Sequence, residues 1–166
     1  IESVRAVADP DVERVVLERL CDEGAMEMRD VLGRIGRAFS PWIVAKLGEL
    51  ARRIAAHRVD HDESPFNPLL DTLLQIDPDA AMAVLRETLG GPDAPILERE
   101  TRLTALRKAQ IAFPEKLAPD LRALWKSEAG RDILPDVLRA IVTAGGPDAA
   151  AVVVSWCQAQ VSAEIP

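Results

Sequence analysis

In the stretch Phe66-Asn67-Pro68-Leu69-Leu70-Asp71-Thr72-Leu73-Leu74-Gln75-Ile76-Asp77-Pro78-Asp79-Ala80-Ala81, one helical pattern ends and another begins within four residues. Phe66, Leu69, Leu70, Leu73 and Leu74 recur at three- and four-residue spacing, which predicts a helix over 66–76 packed on more than one side. Pro78 suits the first turn of a new helix, where its missing N–H costs nothing, and Asp79 complements the positive end of the helix dipole. The turn Ile76-Asp77-Pro78-Asp79 is too short for anything but a reversal, so the two helices are predicted to lie antiparallel.

The same punctuation recurs outward from this point. Pro-Asp occurs at 10, 78, 92, 119, 135 and 147, and most of these pairs read as helix starts, with Pro119 and Pro135 alternatively in the first turn or two of helices that begin slightly earlier. With Pro10, Pro41, Pro78, Pro114 and Pro147 as equivalent starts, the spacings are 31, 37, 36 and 33 residues, a period typical of helix-pair repeats. Three residues after each proline stand Glu13, Val44, Ala81, Leu117 and Ala150; seven after, Leu17, Gly48, Leu85, Leu121 and Val154; ten after, Leu20, Ala51, Thr88, Leu124 and Cys157. Those offsets share one helix face. Offset eight is mostly polar: Glu18, Glu49, Arg86, Arg122 and Ser155.

Each proline-led helix follows another helical segment, near 1–8, 25–38, 66–76, 95–111 and 131–144. No segment alternates with period two for long enough to make a strand, and Val152-Val153-Val154 falls inside a helical stripe. The prediction is one all-α domain over 1–166, an αα-superhelix of about five antiparallel helix pairs. The chain starts at Ile1 rather than Met and stops abruptly at Ile165-Pro166, which predicts a piece of a longer protein.

Ala8-Asp9-Pro10-Asp11-Val12-Glu13-Arg14-Val15-Val16-Leu17-Glu18-Arg19-Leu20 resembles the turn and second helix of a bacterial HEAT repeat, with Asp-Pro-Asp-Val followed by Arg and an Ala/Leu-rich helix. Asp77-Pro78-Asp79-Ala80-Ala81 and Gly146-Pro147-Asp148-Ala149-Ala150 are weaker copies, whereas Ser40-Pro41-Trp42 and Phe113-Pro114-Glu115 depart from the pattern. The resemblance implies a right-handed HEAT/armadillo-like stack whose second helices line a concave face. Glu18, Glu49, Arg86 and Arg122 would then form a partner-binding ridge.

Composition narrows the function. Apolar residues make up 48% of the chain but aromatics only 4%, with no Tyr, which favours close-packed helices over a sheet core. A net charge of −7 makes nucleic acid and anionic membranes poor partners for the chain as a whole. The uncharged run Ala149–Ala163 is too short to span a bilayer and is predicted to be a buried helix. Cys21 and Cys157 are far apart, and the first twenty residues carry many charges and no apolar leader core. Both features point to the cytoplasm.

No constellation reads as catalytic, and neither a cofactor nor a metal is called for. His57 and His61 are four apart beside Asp60, Asp62 and Glu63, but that stretch reads as an acidic loop, where helical spacing guarantees no shared face. Residues 29–58 are net +5 and residues 59–97 net −7. Arg34, Arg37, Lys46, Arg52 and Arg53 therefore define a basic patch that could meet an acidic protein or a phosphate backbone. Of the tryptophans, Trp125 and Trp156 fall on apolar stripes, while Trp42, in the first turn of its helix, is the expected surface anchor. The leading expectation is a non-catalytic protein–protein interaction or scaffold module that offers its groove to another protein or to the rest of its own chain. The alternatives are nucleic-acid binding through 29–58 and a scaffold within a larger enzyme.

Overall fold

The computed structural model describes residues 36–60, 64–144 and 149–164. Among these residues there is no strand. A 3-10 turn, Gly36–Phe39, leads into seven α-helices: α1 (Ser40–Ala55), α2 (Phe66–Ile76), α3 (Pro78–Gly90), α4 (Arg99–Ala112), α5 (Pro114–Lys126), α6 (Leu134–Ala144) and α7 (Ala149–Glu164). Two further 3-10 turns, Ala94–Ile96 and Glu128–Ile133, precede α4 and α6. No described helix is long and apolar enough to cross a membrane.

The prolines act where the sequence places them. Pro78 and Pro114 are the first residues of α3 and α5, and Pro41 is the second residue of α1. Asp77 caps α3, its side chain accepting from the Ala80 N–H at 3.2 Å. That bond, then one from the Ser40 hydroxyl and the Arg37 charge, hold the Asp77 carboxyl below its ordinary value of 3.8. The cap therefore contributes fully above that value and is lost as pH falls through the lowered one. One proline differs from the helix-start reading, and another lies a turn inside a helix that begins earlier. Pro92 begins no α-helix, only the approach to the 3-10 turn Ala94–Ile96, and Pro119 lies inside α5.

Consecutive helices pack against each other throughout, and alternate helices also touch: α1 on α3, α3 on α5, and α4 on α6. Because α2 and α3 are joined through Asp77 alone and α4 and α5 through Phe113 alone, these neighbours must be antiparallel. The helices α1, α3 and α5 thus form one row, with α2, α4 and α6 behind them. Ion pairs link successive members of a row at separations close to the sequence period. Arg86 of α3 reaches Asp120 of α5 at 2.9 Å across 34 residues. Lys108 of α4 pairs with Asp71 of α2, and Arg99 of α4 lies 3.4 Å from Asp136 of α6, each across 37 residues.

The core runs between the rows. Phe66, Leu69, Leu70 and Leu73 of α2 are fully buried, with Ile43, Leu47 and Ile54 of α1 against them. At roughly 1.5–3 kcal/mol for each such side chain, this stripe is the main favourable term holding the first helices together. In α3 and α5 all three apolar columns are buried: Ala81, Leu85 and Thr88, then Leu117, Leu121 and Leu124. Thr88 fits because its hydroxyl donates to the Val84 carbonyl at 2.8 Å. The helix Ala149–Glu164 corrects the expectation of burial. Ala150, Val154 and Cys157 are exposed, and α7 meets the core through Ala149 and Val152. A column is buried only where a helix stands on both sides of it, and α7 packs chiefly on α6.

Candidate binding groove

Side by side, α1 and α3 leave a groove between them because the residues facing each other there are small. Ala45, Gly48 and Ala51 line it from α1, and Ala80 and Ala83 from α3, with Val44 and Val84 adding apolar surface. The groove holds ≈ 620 Å³, within the range of about 300–1,000 Å³ common for binding pockets. Along the helices the lining changes in character. Val44, Ala45 and Ala80 make one end apolar, while Arg52, Glu87, Asp93 and Leu97 gather at the other.

A second, smaller groove of ≈ 290 Å³ lies between α3 and α5, lined by Arg86, Gly90, Gly91, Leu117, Asp120 and Ala123 among others. The two grooves share Ala83 and Glu87, so one ridge on α3 divides a continuous face across α1, α3 and α5. Gly91 makes the end of this ridge possible. A Cβ there would fall 2.2 Å from Glu87 Oε1 and 2.6 Å from the Glu87 carbonyl oxygen. The Glu87 carboxylate therefore lies directly over the Gly91 backbone.

The polar ridge expected at offset eight is only partly assembled. Arg86 lines the second groove but spends its Nε on Asp120. Arg122 is exposed, with its Nε donating weakly at 3.4 Å to Ala118 of its own helix. Glu49 lines neither groove. It accepts from Lys46 at 2.8 Å, with Arg53 at 3.8 Å. The Lys46 hydrogen bond is the main reason its carboxyl is lowered, and the charges of Lys46, Arg53 and Arg52 add to it. Glu18 lies outside the described residues.

The basic patch divides between two sides of α1. Lys46 and Arg53 flank Glu49 on one side, while Arg52 lines the groove on the other. Arg37 is exposed in the 3-10 turn before α1, and Arg34 lies outside the described residues. Trp42 is half-buried against the core, its ring edge-on to Phe39 at 6.3 Å. The described structure thus places it in packing rather than on an open surface. Trp125 packs against the core as its stripe implies.

His57 ends α1. Its φ of 53° is left-handed, its N–H donates to Ile54, and Arg58 N–H donates to Arg53, the bonding pattern of a Schellman cap. Helical spacing has therefore ceased before residue 61, and a shared face for His57 and His61 does not follow. His61 lies outside the described residues. Among the described residues no three His, Cys, Asp or Glu side chains come together to hold a metal.

Composition and spacing gave no sign of Arg102, which is 1% exposed in α4. Its guanidinium pairs with Asp132 and donates at 3.2 Å to the Leu89 carbonyl in the last turn of α3. A buried cation at a helix C-terminus satisfies an orphan carbonyl and the negative end of the dipole. Its stem fills the junction of α3, α4 and the 3-10 turn Glu128–Ile133, so its role is structural. Comparison with family models, curated proteins and solved structures finds no match to this chain.

Proposed function

We propose that the chain is a non-catalytic, HEAT-like helical-repeat module that docks another protein on the face formed by α1, α3 and α5. The groove between α1 and α3 carries this reading. It is wide, floored by small apolar residues, and continuous over the Ala83–Glu87 ridge with a second groove. Such an elongated face suits a stretch of polypeptide better than a compact metabolite. The packing of alternate helices and the ion pairs at near-repeat spacing support the superhelical part of the proposal. So does the alignment of the offset columns with the buried faces of α3 and α5.

The test is an affinity capture with the chain as bait, paired with an Ala83→Arg variant. Ala83 is exposed and lines both grooves, so the added side chain obstructs the face without entering the core. Partners retained by the parent chain and lost by the variant, with helical circular dichroism unchanged, support the proposal. An identical set retained by both sinks it.

A further inference from the structure

Building on that docking reading, we infer that the α1/α3 groove takes a short apolar peptide segment ending in lysine or arginine, its cation seated between Glu87 and Asp93. The groove floor offers Val44, Ala51, Ala80 and Val84, which reward aliphatic side chains. Its far end is acidic. Glu87 and Asp93 both line it, and neither makes an ion pair within the described residues. Glu87 lies over Gly91, two residues before Asp93, which brings the two acids to the same end of the groove.

Arg52 is the one cation lining this groove, and among the described residues it makes no ion pair with Glu87 or Asp93. Its Nη1 and Nη2 sit 3.7 and 3.9 Å from where a Cβ on Gly48 would be, so the guanidinium folds back one turn along α1. Two carboxylates beside an apolar trough thus match a ligand with one positive end and an aliphatic body. An acidic segment would meet repulsion at the same place.

The experiment selects random peptides of about twelve residues, enough for about three helical turns, on the 166-residue chain and on Ala83→Arg. Peptides enriched on the parent but not on Ala83→Arg are then sequenced and measured by fluorescence anisotropy. The expected consensus is aliphatic with Lys or Arg at one end. Replacing that residue by Gln should weaken binding about threefold to tenfold at low salt, and Glu87→Gln/Asp93→Asn should abolish the preference while retaining the aliphatic one. Groove-dependent peptides with no basic preference, or a preference unmoved by the double variant, overturn this inference and leave the docking face standing. If no peptide distinguishes the parent chain from Ala83→Arg, both readings fall.

Discussion

Leu121 in α5 and Val154 in α7 each stand seven residues after a proline, yet Leu121 is 1% exposed and Val154 54%. The difference lies in their neighbours. Around Leu121, α5 is enclosed by α3, α4 and α6, whereas α7 packs chiefly on α6. A helical stripe records which face can be buried; the surrounding elements decide whether it is. The apolar columns are therefore buried in α3 and α5, and exposed in α7.

Four substitutions probe this contrast. Leu121→Ala removes a fully enclosed side chain and should lower unfolding free energy by about 2–5 kcal/mol in urea denaturation. A loss below about 1 kcal/mol would mean that α5 is not clamped on both sides. Gly130→Ala comes next. Its Cβ would fall 2.1 Å from the Leu124 carbonyl oxygen, where the chain folds back onto the end of α5. Backbone must shift, and the expected cost is about 1–3 kcal/mol by the same measurement. An unchanged midpoint would show that the close approach is not maintained.

At the C-terminal cap of α1 the sign reverses. His57→Gly relieves a left-handed residue at the cap of α1 and should raise stability by about 0.5–1 kcal/mol, seen as a higher melting temperature. A drop would assign the imidazole a contact that outweighs the backbone strain. The smallest effect is expected at Val154→Ala, within about 0.5 kcal/mol of the parent. A cost approaching that of Leu121→Ala would place Val154 in a buried interface and erase the distinction between α5 and α7.

Much of the fold was legible because its signals are local. Pro78 and Pro114 start helices, and Phe66 to Leu73 forms the buried stripe of α2, each through interactions within a few residues. The groove was only partly legible. Arg86 does line its second half, but Glu87 and Asp93 count only as single acids in a generally acidic stretch, and Gly48 as one member of an otherwise apolar column. Their common location depends on how closely α1 and α3 approach, which no single-helix pattern encodes. Arg102 was missed for a related reason: its partners, Leu89 and Asp132, lie in other elements.

The sequence by itself determined the all-helical character, the sites of chain reversal and the buried faces of the middle helices, because backbone capping and amphipathic periodicity act over one or two turns. Only the tertiary structure decided that α7 keeps an apolar face exposed, that Arg52 turns toward the groove while Lys46 and Arg53 gather on Glu49, and that Glu87 and Asp93 share its acidic end. Each of those outcomes is set by the distance and rotation between helices, and hence by side chains separated by tens of residues in the chain.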